Sequence, residues 1–379
     1  MAAGSETYWQ LEKVYYTIVP KHDLVVRVVE HGEVATTQGE GDARKTVTQR
    51  MPTKLHEYKV KREVLSASGN YFNILLIDPA LDGLDLHEDN AASMTLWFKL
   101  LHSNAEDASM YEATIDDIWY MIAAGKRYDF KTTNDVVKAW FDKWYLTLAQ
   151  SHHLDYKEHQ ALLLPTYVFD NAQAFCAATR YVVYRATTTV TERRPIPFLE
   201  NEALALDPNI VSQLNAAKAR IKTMLHRGLY NPIDDLLKRA RCRCKPHALY
   251  AYEQSLSYTG AWPLETSALN NSMEMVLRKL EHNFPVQPYR PQTCGSQFCT
   301  FDFRTVVDHA GVEARNYFDG LCLDCMHHSV VRKVEDGAGE GDEEYWRHSK
   351  QGVPWDAGCR IQHSQPAWFF SFQGPRQKM

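Results

Sequence analysis

The chain has 379 residues, 45% of them hydrophobic and 23% charged, a composition that supports a real core and leaves room for two domains. A net charge of −5 excludes bulk attraction to nucleic acid or anionic membranes, though not a local basic face. No apolar run approaches the roughly 20 residues of a membrane helix, and "MAAGSETYWQLEK" has no apolar targeting core, so a nuclear or cytoplasmic protein is expected, neither secreted nor membrane-bound.

After an N-terminal tail over residues 1–11, "HDLVVRVVE" alternates Leu24, Val26 and Val28 and predicts a strand. Residues 33–55 are polar and predict a mobile insert, across which Tyr58–Val60 would return as the second strand of a hairpin. Lys61 and Arg62 then lead into a short helical stretch carrying Val64, Leu65, Tyr71 and Phe72. "LDLHEDNAASMTLWFKLLH" predicts a strand and then a helix whose apolar face is Met94, Trp97, Phe98 and Leu101. Thr114 is a candidate N-cap with Asp117 three residues on, and Val137, Trp140, Phe141 and Trp144 repeat the helical spacing. Residues 12–150 therefore predict an α+β domain, a small sheet with helices clustered around it.

Residues 157–331 predict a mainly helical C-terminal extension. Leu214, Ala217, Ile221 and Leu225 mark one helix, stopped by Gly228, and "NPIDDLLKRA" predicts a restart with Asn231 as cap and Pro232 at the first position. An acidic glycine-rich linker follows over 332–345, then a tail over 346–379 whose "GCRIQHSQPAWFFSF" is too aromatic to stay in water and is expected to dock back.

The stretches "DLVVRV" and "YKVKREVLSASGNYF" resemble the opening of a BTB/POZ domain. Asp23 takes the family's acidic position, Lys61 stands where histidine is usual and Arg62 is the arginine; Tyr58 replaces a common phenylalanine and Gly69 a common serine. The order of the later segments, including "LLLPTYVFDNAQAF", "LNAAKARIKTMLHRGLYNPIDDLL" and "GLCLDC", is similar to fungal BTB-domain proteins with a helical extension. The resemblance implies a non-catalytic interaction module that homodimerises and binds protein partners, such as cullin-type ubiquitin-ligase scaffolds or corepressors. It also implies an interface pocket of Asp23, Lys61 and Arg62, with the Asp23 carboxylate paired to Arg62. A cation beside apolar surface costs several kcal/mol unless paired, which favours that pairing. Snorkelling of both side chains to solvent is the alternative.

Seven of the eight cysteines fall between Cys176 and Cys325, and in a reducing compartment such clustering points to metal or packing. Cys322 and Cys325 form C-x2-C, Cys294 and Cys299 C-x4-C, and Cys242 and Cys244 a tighter C-x-C with His247 close behind. Two of these pairs would hold one structural Zn2+, with Cys322/Cys325 the firmest and its partner pair left open; reduced cysteines in a core are the alternative. Cys176 and Cys359 read as packing.

No enzyme is expected. Gly39–Thr46 imitates a phosphate loop but has Arg44 where the second glycine is needed, and His152, His153, Glu158 and His159 lack the H-E-x-x-H spacing. The rival reading is a zinc-stabilised, nucleic-acid-associated protein using the basic segment 218–245, against which stands the solvated face of amphipathic helices.

Overall fold

Alternating valines and a following run of helical apolar spacings build the N-terminal half. In the computed structural model the described residues are 11–38, 45–87, 89–103, 107–196, 204–285, 302–328 and 358–371. The chain divides into two units, Met1–His153 with Arg194–Leu204 and Leu154–Arg193 with Ala205–Lys378.

The first unit is α+β. Strands β1 (Glu12–Thr17), β2 (Leu24–Gln38) and β3 (Lys45–Val60) precede helices α1 (Arg62–Ser68) and α2 (Asn70–Leu75). Then come β4 (Gly83–His87), α3 (Ala91–Leu101), a 3-10 turn at Ala108–Tyr111, α4 (Ile115–Tyr128) and α5 (Asp135–Ser151). The sheet order is β1-β3-β2-β4, with β2 and β3 antiparallel and both outer strands parallel to their neighbours. Val26, Val28, Tyr58 and Val60 are fully buried against α3, and Tyr58 donates its hydroxyl to the Ala91 carbonyl at 2.9 Å. The buried indoles of Trp97 and Trp144 likewise donate to the carbonyls of Met121 and Ala113, so neither aromatic costs an orphaned N–H.

Within residues 33–55, expected as a mobile insert, β2 and β3 pair out to Gln38 opposite Lys45, with one irregularity at Glu30/His31, and residues 39–44 lie outside the described residues. Threonine and valine recur through this stretch, and β-branched residues favour a ladder even when few of them are apolar enough to signal a core strand. Strand β1 was also not anticipated, because its alternation is masked by Glu12 and Lys13.

Asp23 and Arg62 do meet, but not as two side chains. The Asp23 carboxylate accepts the backbone N–H of Arg62 at 2.8 Å and lies 3.9 Å from the Lys61 ammonium. The Arg62 guanidinium turns instead to the end of α2, donating to the carbonyls of Leu76 at 3.2 Å, Asp78 at 3.0 Å and Leu81. The expected carboxylate–guanidinium pair is therefore replaced by a cap. Unsatisfied N–H groups at a helix start attract a carboxylate, and unsatisfied carbonyls at a helix end attract a guanidinium.

The Lys61 N–H, at the same helix start, donates to Nε2 of His102 at 3.0 Å, while His102 Nδ1 lies 2.7 Å from the Phe98 carbonyl. This arrangement requires the neutral ring with its proton on Nδ1, and burial pushes the His102 pKa below its ordinary value. The unfolded chain then binds more protons than the folded one as pH falls below about 6.5, so the contribution is present above that pH and lost on acidification. The melting temperature should fall between about pH 7.5 and about pH 5.5, and His102→Ala should flatten that slope; an unchanged slope would refute the cap.

The second unit is helical: α6 (Tyr156–Val168), α7 (Ala172–Arg185), α8 (Pro208–Arg239), α9 (Lys245–Tyr258) and α10 (Leu264–Asn270), then α11 (Met273–Asn283), α12 (Phe303–Arg315), α13 (Leu323–His328) and α14 (Gln365–Ser371). The histidine-rich "SHHLDYKEH" is a helix start, in which Asp155 and Glu158 form a reciprocal capping box and His159 is buried, stacked 3.9 Å from Tyr181. The expected break at Gly228–Pro232 does not occur: α8 runs through both, burying Leu225, Leu229, Ile233 and Leu236. Gly228 is there for contact rather than termination, since an added Cβ would stand 2.6 Å from the Cβ of Ala310 on α12. Pro232 costs one backbone bond, and burial on both sides of it keeps the helix continuous. Much of the basic segment is already engaged. Lys218 donates to the Thr188 carbonyl, Arg220 to Tyr317, Lys245 to the Leu237 carbonyl, and Lys238 and Arg239 pair with Asp234 and Asp235. Among the described residues no helix is long and apolar enough to cross a membrane.

Candidate metal centre

Helix α7 provides the wall on which the centre is built. Thr179 donates back to the Phe175 carbonyl at 2.7 Å and accepts the Leu321 N–H at 2.9 Å, and Tyr184 accepts the Phe318 N–H. The Cys176 thiol donates to the Asp319 carbonyl at 3.0 Å, and burial pushes its pKa up to about 12, so it stays a thiol. Gly320, at φ +114°, lies so close to the Cys176 carbonyl oxygen that an added Cβ would collide with it. These ties deliver Cys322 and, one helical turn on, Cys325 to a fixed position at the start of α13.

The segment 358–371 supplies the other side. Cys359 and His363 approach Cys322 and Cys325 so that one ligand atom from each of the four lies within 4.8 Å of the others. Cys325 Sγ is 3.6 Å from Cys359 Sγ and 3.3 Å from His363 Nε2. Tetrahedral zinc, with bonds of about 2.3 Å to sulfur and about 2.0 Å to nitrogen, sets edges of about 3.8 Å between sulfurs and about 3.5 Å between sulfur and nitrogen. The two edges from Cys325 Sγ, 3.6 and 3.3 Å, are close to those values. The cluster could hold a metal ion.

Its surroundings are those of a ligand set. His363 Nδ1 lies 3.0 Å from the Ser364 carbonyl, which keeps the proton on Nδ1 and leaves Nε2 as a donor atom. Hydrogen bonds with Cys325 and His363 pull the Cys322 thiol below the ordinary thiol range, and the Cys322 sulfur in turn holds the His363 imidazole above its ordinary value. Cys325 is pushed up because it donates to Cys322, and burial pushes Cys359 up to about 11. Cys322 is thus the thiol of the cluster that loses its proton most readily, and a thiolate is what binds a soft cation. Trp368 and Ile361 pack against the sulfurs and exclude water.

Arg360, between the two new donors, bridges two carboxylates. Its backbone N–H and Nε go to Asp324 at 2.8 and 2.9 Å, and its Nη2 to Asp170 at 3.0 Å. The Ser364 N–H donates to Asp319 at 2.7 Å, and Ser371 on α14 accepts the Cys322 N–H at 2.8 Å.

The sequence-predicted ligands divide three ways. Cys322 and Cys325 are brought together. Cys242 and Cys244, reduced and 3.1 Å apart at the start of α9, join no larger donor cluster among the described residues, and His247 is exposed nearby. Cys294 and Cys299 lie outside the described residues. Cys359, read as packing, is corrected to a member of the cluster, and His363 was missed. Their C-x3-H spacing was the available signal, hidden because the acidic linker separates it from C-x2-C. No family model, curated protein or solved structure matches the chain.

Proposed function

We propose that this chain is a non-catalytic protein–protein interaction module that self-associates through its first unit and carries one structural Zn2+ in its second. The observation that carries self-association is the apolar side of α2 and the turn after it. Ile74 is 69% and Ile77 75% exposed, with Tyr71 and Leu75 beside them. Burying four isoleucines between two copies contributes on the order of 8 kcal/mol, within the range that association costs. The sequence resemblance to BTB domains, in which homodimers are common, supports the same reading. Asp23, Lys61 and Arg62 then brace α1 and α2 behind that face. Protein partners of the cullin-scaffold kind would use the remaining surface.

In the second unit Cys322, Cys325, Cys359 and His363 would hold the zinc ion. Four protein donors complete a tetrahedron and leave no position for substrate, which fits a structural role. Nucleic-acid binding through 218–245 is less favoured, because Lys218, Arg220, Lys238, Arg239 and Lys245 already have partners within the chain.

Sedimentation equilibrium tests the self-association. The parent chain should be dimeric, and Ile74→Asp with Ile77→Asp should weaken the dimer by at least about a hundredfold with the melting temperature little changed. A monomeric parent, or a variant with unchanged mass, would sink the proposal.

A further inference from the structure

The four donors come from two stretches of chain. Cys322 and Cys325 belong to the helical body, whereas Cys359 and His363 belong to the segment 358–371, which returns to it after residues 329–357. That segment ends in α14, seven residues long, well short of the roughly 12–15 that hold a helix in water unaided. Its buried side chains are Ala367, Trp368, Phe370 and Ser371, with Phe370 edge-on to Phe318 at 5.7 Å. The other polar ties are few: Ser364 N–H to Asp319, Cys322 N–H to Ser371, and Arg360, whose side chain is 44% exposed where it meets Asp170 and Asp324, and partly exposed ion pairs are screened by salt. The helices beneath have a core of their own. Leu214, Ala217 and Ile221 of α8, Val276 of α11, and Val307 and Ala310 of α12 are buried, and α8 packs on α7, α11 and α12 as well as on α14.

We infer that the metal ion is a fastener. Loading docks the segment 358–371 onto an apolar seat that includes Phe318, Leu321 and Cys322; loss releases the segment and uncovers that seat while α8 and α12 stay folded. The seat is a switchable surface whose resident occupant is this chain's own C-terminal segment, and the inference rests on the zinc reading above.

The test is hydrogen exchange by mass spectrometry on the full chain, purified without chelator, with zinc content measured in parallel. Removing zinc with a high-affinity chelator should speed exchange in 358–371 by at least about tenfold and leave α8 and α12 unchanged. His363→Ala should behave as the chelated protein does, and His363→Cys, which restores a donor, should retain both zinc and protection. Zinc that leaves without altering exchange in 358–371 would overturn the fastener and leave the zinc reading standing. Opening of α8 and α12 together with the segment would overturn it too, since the ion would then support the whole unit. Protein that holds no zinc, with His363→Ala indistinguishable from the parent, would remove the zinc reading and the fastener together.

Discussion

Cys325→Ser should lose its zinc to a competing chelator at a concentration that leaves the parent chain with one equivalent. Cys325 is the donor at the middle of the cluster, within 3.6 Å of Cys359 Sγ and 3.3 Å of His363 Nε2. A structural zinc site is worth about 10–16 kcal/mol in apparent binding energy, so loss of one donor in four removes about 3 kcal/mol, or roughly a hundredfold in affinity. A hydroxyl does not replace a thiolate at a zinc ion, because it stays protonated at neutral pH. Cys176→Ser is the control. Its thiol donates to the Asp319 carbonyl and lies outside the donor cluster, so a serine there should leave zinc unchanged. Native mass spectrometry reads both; equal zinc in Cys325→Ser and the parent would exclude the site.

Gly320→Ala should be the most damaging single-methyl change near the centre, costing about 3 kcal/mol or more. The backbone at φ +114° is strained for any L side chain, and the new Cβ would also meet the Cys176 carbonyl carbon and sulfur, both at 2.8 Å. The obstruction is helix backbone, which cannot rotate away as a flexible side chain would. Since Cys322 lies two residues on, zinc affinity should fall with stability. Urea unfolding followed by zinc titration would show both; a loss under about 1 kcal/mol would mean that α7 yields more readily than its hydrogen bonds to Leu321 and Asp319 suggest.

Much of the helical architecture was legible because its periodicity is strong. Val137, Trp140, Phe141 and Trp144 are all buried as their spacing requires, as are Leu214, Ala217, Ile221 and Leu225. Thr114 and Asp117 form the expected reciprocal cap. Local patterns fail where a distant contact decides. Pro232 reads as a helix start, yet the faces buried on either side of it keep α8 whole. Arg62 reads as a partner for the Asp23 side chain, but its guanidinium donates instead to the Leu76 and Asp78 carbonyls just after α2. At the candidate metal centre the C-x2-C half was read from its spacing, whereas the C-x3-H half went unread because the acidic linker separates the two and nothing in the spacing joins them.

The start of α1 has a consequence for the order of assembly. This seven-residue helix has Lys61 at its N-cap position, and no side chain of its own caps it. Its first N–H groups are met by Asp23 and His102, 39 and 41 residues away in sequence. Contacts that span such separations form only after loop closure has been achieved. Helix α1 is therefore expected to consolidate late, once the start of β2 and the end of α3 are in place. The apolar face on α2, which follows it directly, is then presented only by chains whose sheet and third helix are already assembled.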